Sequence, residues 1–478
     1  MKIKLSFIGI FFSVISIGIA FVIIATYKNE PGYGLLPLMP LTFGIMSFVS
    51  SNMIKRNIPE NYGATLILSL LMIKSVILPL FFQMGNYVTE FRASLVNTMQ
   101  SAILISVYEI IAVFLTLIAL DARNYRYLKK ITKKESTVYY NFRVMKFWVI
   151  ALLIVFILTF IIEPNCKYFY LSIYNLTDLN FTNNEMSTII DNYSNGFISK
   201  LIMVLHNYLT KIVRFLVPLH FIVLIHRNNV NYSGFIGCIF VSLINLIIID
   251  GTIARGFMYA FVLLLLTCIV YGREKDFYKI AIAAIAALGL YFYIRAVFAV
   301  GISEAMWSYL SRYIGSYFSS VANTAATLNM NLNWEETLRF IVYDYLESVP
   351  FGNTLFGLES ISFQKFFNST NLSYGQIPTT IGTSCIYFGY ILAPIYSIAF
   401  TIIGYKAGVV AKYSNSVFKK GIFILLAMHC AMAITMYYIK IVLVVIIGTI
   451  IPMIIINRLI EKKALHRGEW YEELTQSR

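Results

Sequence analysis

The chain has 478 residues, 59% of them hydrophobic, and a mean hydropathy of +0.73. Soluble domains are only about 45–50% apolar, so this composition excludes an ordinary soluble protein and indicates an integral membrane protein. In that setting the net charge of +15 reflects membrane topology and contact with anionic lipids, and we expect no nucleic-acid partner.

Apolar stretches of the ~17–25 residues needed to cross the hydrocarbon recur along the whole chain. They predict an all-α fold: a single integral membrane domain over 1–478 with about twelve spans. We expect the spans at 4–26, 34–54, 63–83, 97–120, 145–163, 205–226, 233–250, 255–271, 279–297, 383–404, 421–437 and 441–457.

The distribution of Lys and Arg predicts the orientation. Basic clusters fall in alternate connections: Lys55-Arg56, the segment 123–134, the segment 273–279, and the tail after Arg458. By the positive-inside rule these connections and both termini are cytoplasmic. Two long segments, 164–200 and 298–382, then face outward as periplasmic or extracellular loops.

The second outward loop, 298–382, is rich in aromatic residues and in Asn, Ser and Thr, with helical patterns at about 304–328 and 335–348. Aromatic rings suit the C–H faces of sugars as well as interfacial anchoring. Because transporters usually keep their connections short, a layer of this length favours an enzyme acting on a lipid-borne substrate. The five cysteines show no metal-ligand spacing, and we expect neither a metal nor a cofactor.

Charged residues inside the predicted spans need a reason, since each costs ~2.5–3.5 kcal/mol on insertion scales. Lys74 and Glu109 lie midway along the third and fourth spans, and we predict that they form an ion pair. Lys211 and Arg214 share one helix face in the sixth span. They either snorkel toward the outer headgroups or line an anion site in an outward-open cavity.

The connection between the seventh and eighth spans carries the sharpest cluster. The seventh span ends at Asp250, and Thr252 fits an N-cap that places Arg255 in the first turn of the next helix. A helix N-terminus already carries partial positive charge, so an arginine there is best stabilised by a bound phosphate. Gly256 would let such an anion approach the backbone; a simple interfacial arginine is the alternative.

Two more arginines extend this group of cations. Arg295 lies near the outer end of the ninth span, and Arg312 follows early in the second outward loop. With Lys211, Arg214 and Arg255 they place five cations near the face that otherwise lacks them, which indicates an anionic ligand.

In the order of these features the chain resembles the Wzy-type repeat-unit polymerases of bacterial O-antigen and capsule synthesis. The matching parts are the Thr252-x-x-Arg255-Gly256 step, the segment 312–317 with Asn323 beyond it, and the segment 382–390 that begins the tenth span. Gly404 closes that span. Where relatives often have an acidic residue before the glycine of that span, this chain has Phe388, so no acidic role is transferred to it.

The resemblance implies a GT-C-like glycosyltransferase of the bacterial inner (plasma) membrane that works in surface-polysaccharide and lipopolysaccharide synthesis. Its donor would be a glycan on undecaprenyl pyrophosphate, and its acceptor a lipid-linked repeat unit whose non-reducing hydroxyl attacks the anomeric carbon with inversion. Membrane lipids, a flippase and a chain-length regulator would be its partners, and it would need no cofactor.

Such a reaction needs a clamp for the leaving pyrophosphate and a base for the acceptor hydroxyl. The candidates for the clamp are the five cations, in the order Arg255, Arg312, Arg295, Arg214 and Lys211. The candidates for the base are Asp250, Glu304 and His206.

Two other functions fit the same sequence. An O-antigen ligase would use the same donor with a lipid A core acceptor. A flippase for lipid-linked oligosaccharides would also have about twelve helices, but would place its cations in a deep central cavity and keep its outward loops short.

Overall fold

A computed structural model describes residues 7–131, 139–170, 190, 192–247, 253–318, 320–349, 351–352, 362–373, 375–467 and 472–473. These residues are almost entirely helical, which confirms the predicted all-α membrane bundle. A two-residue antiparallel ladder pairs Tyr139–Tyr140 with Glu472–Glu473.

The helices are numbered in chain order. They are α1 (Phe7–Ala25), α2 (Leu38–Val49), α3 (Ser51–Glu60), α4 (Tyr62–Met84), α5 (Val96–Ile131), α6 (Phe142–Ile162), α7 (Phe197–Asn228), α8 (Tyr232–Ile247), α9 (Ile253–Val270), α10 (Phe277–Val300), α11 (Glu304–Tyr317), α12 (Val321–Leu328), α13 (Trp334–Ser348), α14 (Phe363–Thr370), α15 (Thr380–Leu392), α16 (Ile395–Tyr413), α17 (Val417–Thr435) and α18 (439–467).

Within the described residues, eight helices are long and apolar enough to cross a membrane. They are α1, α4, α5, α6, α7, α16, α17 and the first part of α18. Four shorter apolar helices (α2, α8, α9 and α15) cover or overlap further predicted spans. The total of about twelve spans remains a prediction.

The helix ends meet in two groups at opposite ends of the bundle. At one end Gln83 donates a hydrogen bond to the carbonyl of Ile23 (2.9 Å), and Ser308 to that of Gly85 (3.0 Å). At the other end Lys412 pairs with Glu274 at 2.8 Å. Segments predicted to lie on one side of the membrane therefore contact each other. We call the first the cap end and the second the basic end.

The cap is formed by α11 to α14. α11 packs against α4 and α10, α12 packs against α5 and α15, and α13 packs against the start of α18. The predicted helical patterns at 304–328 and 335–348 are confirmed, except that the first is broken between α11 and α12.

Two predicted spans have the wrong bounds. The predicted second span, 34–54, is not one helix, because α2 stops at Val49 and a separate helix, α3, begins at Ser51. The tenth, 383–404, combines most of α15 with the first half of α16. Gly389 breaks α15 with φ +80°, a conformation that L residues with a side chain rarely adopt. Gly404 does not close a helix; it lies inside α16, which continues to Tyr413.

α15 ends at Leu392, so its last backbone carbonyl groups lack helical partners, and side chains satisfy two of them. Tyr108 donates from its hydroxyl to the carbonyl of Ile391 (3.1 Å), and Ser384 to that of Leu392 (3.4 Å). Non-helical backbone inside a membrane bundle requires such partners, because no water is there to supply them.

Candidate functional site

Arg214 lies inside the bundle, halfway along α7, with only 3% of its surface exposed. Its Nε donates to the Asn245 side chain (3.1 Å) and its Nη2 to the Asn245 carbonyl (3.2 Å). The guanidinium also lies over the ring of Tyr259, 5.2 Å from the centroid. These contacts hold the cation between α7, the end of α8 and the first turns of α9.

Gly256 allows the start of α9 to lie close to Asn245 and Arg214, because it has no side chain. A Cβ at this position would lie 2.7 Å from the Asn245 carbonyl oxygen and 3.7 Å from Arg214 Nη2. The two cation clusters singled out in the sequence, Lys211–Arg214 and Arg255–Gly256, are therefore adjacent. α9 begins at Ile253, which confirms that Arg255 lies in a first helical turn; its side chain is outside the described part of the structure.

The depth of this cation cluster follows from helix length. Arg214 is fourteen residues from the basic-end terminus of α7 at Asn228, or about 20 Å at 1.5 Å per residue. It is seventeen residues from the other terminus of α7, Phe197, so the cluster lies near the middle of this helix.

Lys211 lies one turn nearer the cap end and is also buried, at 5% exposure. Its Nζ is 4.9 Å from the centroid of the Tyr208 ring. That ring occupies the space left by Gly448 of α18, where a Cβ would be 2.0 Å from it. A cation–π contact of this kind stabilises a cation that has left water.

Arg312 has a different environment. On α11, its Nε donates to Glu90 Oε1 at 2.8 Å, and both side chains are partly exposed. The pair forms part of the wall of a cleft between the 85–91 segment and the cap. Arg312 thus already has an anion beside it, in contrast to its predicted role as a pyrophosphate ligand, which remains a prediction.

His206, a candidate base, is fully buried and hydrogen-bonded at both ring nitrogens. Thr159 lies 2.8 Å from Nδ1 and Tyr170 2.9 Å from Nε2, and the ring stacks on Phe156 at 4.6 Å. These contacts connect α7 to α6 and to the segment that follows α6, which gives His206 a structural role. Of the other candidate bases, Asp250 lies outside the described residues, as does the side chain of Glu304. The side chain of Arg295, a candidate pyrophosphate ligand, is also outside them.

A carboxyl group that was not among the predicted site residues lies under the cap. Asp344 of α13 is 1% exposed and accepts a hydrogen bond from Tyr387 of α15 at 2.7 Å. Burial raises the pKa of this carboxyl to about 6, against the opposing effects of the Tyr387 hydrogen bond and the nearby Lys440. One turn further on, Glu347 pairs with Lys440 at the start of α18.

A sequence signal for this cluster exists. Phe340, Asp344 and Glu347 are spaced four and three apart, so both carboxylates lie on the face of α13 that also carries a buried phenylalanine. Acidic residues on the apolar face of an amphipathic helix indicate buried partners. Their identity, Tyr387 and Lys440, depends on distant segments and could not be read from the sequence.

The ion pair predicted between Lys74 and Glu109 is confirmed. Lys74 Nζ is 2.6 Å from Glu109 Oε2, and both side chains are buried. Lys74 also donates to the carbonyl of Ile434 (2.8 Å), and Ser397 donates to the other carboxylate oxygen (2.5 Å). Four helices are joined by this one cluster.

Among the described residues, no group of three or more His, Cys, Asp or Glu side chains is arranged to hold a metal ion. No family model, no curated protein and no solved structure matches the chain.

Proposed function

We propose that this protein is a membrane glycosyltransferase that joins lipid-linked oligosaccharide repeat units, in the manner of the Wzy-type polymerases. One observation carries the proposal: buried Arg214 lies against the first turn of α9, the turn that contains Arg255 and Gly256. An N-terminal helical turn beside a buried guanidinium is suited to a pyrophosphate.

The proposed reaction moves a glycan from its polyprenyl carrier to an incoming repeat unit. The acceptor hydroxyl forms a bond to the anomeric carbon of the donor while the bond from that carbon to pyrophosphate breaks, with inversion. The electron pair leaves on pyrophosphate, and the hydroxyl proton passes to a base. The contribution of Arg214 and Arg255 is to stabilise charge that grows on the leaving group.

The cap supports an enzyme over a carrier, because its four helices, α11 to α14, form the long outward connection that a flippase would lack. The buried position of Arg214 does not separate the two. A ligase with the same donor would use the same cations, so it is separated by its product and not by its site.

Deletion of the gene, followed by electrophoresis of surface polysaccharide, tests the function. A polymerase predicts loss of the polymer ladder with one repeat unit still attached to the core. Loss of all polysaccharide from the core would indicate a ligase or a flippase, and an unchanged ladder would refute all three.

Substitution of Arg255 tests the site. We expect Arg255→Ala to shorten or abolish the ladder, since removal of a group that acts in the transition state typically costs ~10²–10³-fold in rate. Arg255→Lys should recover only part, because a point charge cannot replace bidentate binding. Arg339→Ala, which removes an exposed arginine of α13, is the matched control. A normal ladder in a well-expressed Arg255→Ala strain would remove this role.

A further inference from the structure

Helix α13 of the cap has more apolar surface than the protein buries. Its inner face, which carries Phe340, Asp344 and Glu347, is packed against the rest of the molecule. A second set of apolar side chains is left 41% to 71% exposed: Trp334, Leu338, Val342 and Tyr345, with Val349 directly after the helix. We call these five residues the α13 stripe.

The stripe lies on one face of the helix. Its members are four, four, three and four residues apart, and this spacing brings side chains to the same side of a helix. The exposed Arg339 is on a different side, roughly 90° around the helix from the centre of the stripe. α13 therefore has a buried face, an exposed apolar face and a charged face. The second of these requires an apolar surface outside the protein to cover it.

The contacts of α13 place it at the edge of the hydrocarbon layer. The Tyr345 hydroxyl is 2.9 Å from that of Tyr396, in the first turn of α16. Glu347 pairs with Lys440, in the first turn of α18. Both α16 and α18 are long and apolar enough to cross a membrane. The 19 residues of α16 extend about 28 Å, close to the ~30 Å of the hydrocarbon. The start of this helix, and α13 beside it, therefore lie where acyl chains meet headgroups.

The stripe continues onto the apolar outer surface of the bundle. The Tyr396 ring packs edge-on against Phe388, 5.3 Å between centroids, and Phe388 is itself exposed. Ile395, at the start of α16, is exposed as well. Lipid tails cover such surfaces on spanning helices, since no water is there. Because Tyr345 contacts Tyr396, one apolar surface extends from the spanning helices onto α13.

We propose that α13 is an interfacial helix whose stripe is inserted into the lipid leaflet on the cap side. Leu338 and Val342 contact the upper parts of the acyl chains, and Arg339 points to the headgroups, as is usual for amphipathic helices in this position. Trp334, at the far end from the contacts with α16 and α18, lies at headgroup level, where tryptophan is enriched and aqueous reagents still reach.

This inference is independent of the proposed function, because it uses no residue of the cation cluster. It changes the expected position of the second outward connection, which is not wholly in water. One of its helices holds the cap to the membrane surface.

Fluorescence quenching in nanodiscs tests the inference. Leu338→Cys and Val342→Cys in the full-length protein are labelled with bimane, and Arg339→Cys on the same helix is the matched control. All five native cysteines are buried, so the label goes to the introduced thiol. Each protein is reconstituted at one copy per nanodisc of phosphatidylcholine and phosphatidylglycerol.

Two quenchers separate lipid from water. One is phosphatidylcholine with a nitroxide near the top of its acyl chain, and the other is iodide in the buffer. We expect the nitroxide lipid to reduce the emission from positions 338 and 342 and to leave that from 339 nearly unchanged. Iodide should give the reverse order, and the emission from 338 and 342 should be shifted to the blue.

Three results would overturn the inference. Strong quenching by iodide at all three positions would mean that the stripe faces water. Protection of 338 and 342 from both quenchers would mean that another part of the protein covers them. Protection from the lipid quencher only in liposomes that hold several copies would assign the stripe to contact between copies. Melting curves of the labelled proteins that match the wild type show that the fold is retained, and the two stripe positions provide independent measurements.

Discussion

The Asp344 carboxyl group is desolvated by burial in the folded protein. Its pKa is raised from 3.8 to about 6, chiefly by burial. Between these two values the folded protein binds a proton that the unfolded chain has lost. The contribution of this group to stability is therefore greatest below about pH 4 and falls as the pH rises toward 6.

We predict that Asp344→Asn raises the thermal unfolding temperature at pH 8 and has little effect at pH 4. Asparagine can still accept the Tyr387 hydrogen bond but carries no buried charge. Melting curves in detergent from pH 4 to pH 8 measure the difference. Asp276→Asn, which removes a carboxyl from the basic end, is the control. A difference that shrinks as the pH rises would contradict the assignment.

Removal of one charge from the Lys74–Glu109 pair should destabilise the protein, in contrast to removal of the Asp344 charge, because each charge of the pair has a partner. Replacement of Lys74 or Glu109 alone by Met or Leu should lower protein abundance and thermal stability, with a cost of roughly 3–5 kcal/mol for a stranded buried charge. The double replacement should restore much of the loss. Fluorescence-detected size-exclusion chromatography of the four proteins gives the comparison. A double variant no better than the singles would mean that the charges do not act as partners.

These two clusters show which residue contacts a sequence can reveal. Lys74 and Glu109 lie in consecutive spans, so antiparallel neighbours of similar depth predict their contact. Asp344 reaches Tyr387 across a connection that includes α14. The position of α13 relative to α15 depends on how the cap helices pack. The hydrophobic periodicity of the sequence does not predict that packing.

At the level of elements, α4 and α16 make a very close helix contact. A Cβ on Gly63 would lie 1.9 Å from the carbonyl oxygen of Gly404, and one on Gly408 would lie 2.7 Å from the Cα of Gly63. Gly404 and Gly408 are four residues apart and form one small-residue face. Such faces let backbones approach inside membranes, where packing is a main source of helix association.

We predict that Gly63→Ala sharply lowers the thermal unfolding temperature, because its methyl group would overlap backbone that cannot move aside. Gly18→Ala in α1 is the control, since a Cβ there meets nothing within 4 Å. Melting temperatures of the two variants in the same detergent are the measurement. Equal values would mean that α4 and α16 do not pack at this distance.

Prolines account for two irregular turns that hydropathy could not predict. Each π-helical segment, Ile73–Ile77 and Ile446–Ile450, ends two residues before a proline, Pro79 or Pro452. Proline lacks an N–H and clashes with the carbonyl four residues earlier, which here lies inside the π segment. Hydropathy windows locate such spans but average over their irregular turns, and they miss the Gly389 break for the same reason.

For the whole molecule, the separation of the two ends is the basis for the orientation. The cap end carries the cap, and the basic end carries the Lys412–Glu274 pair and the contact between Arg56 and Asp121. The positive-inside rule then predicts that the basic end is cytoplasmic. All five native cysteines are buried, so introduced cysteines can be labelled against a low background.

We predict that Trp334→Cys, at an exposed cap position, reacts with a membrane-impermeant maleimide in intact spheroplasts. Val230→Cys, exposed between α7 and α8 at the basic end, should react only after permeabilisation. A gel shift of the labelled protein measures the reaction at both positions. The reverse pattern would invert the protein in the membrane and place the cap on the cytoplasmic side.

The broken helix α15 has a consequence for how the chain is assembled during synthesis. With 13 residues it is too short to cross the bilayer alone. Its first residue, Thr380, donates to the carbonyls of Ala433 and Tyr437, which are translated more than fifty residues later. α15 can therefore dock only after α17 has been inserted, and the cap held by α15 must wait with it. The four helices of the cap are therefore translated before the helix on which their final position depends.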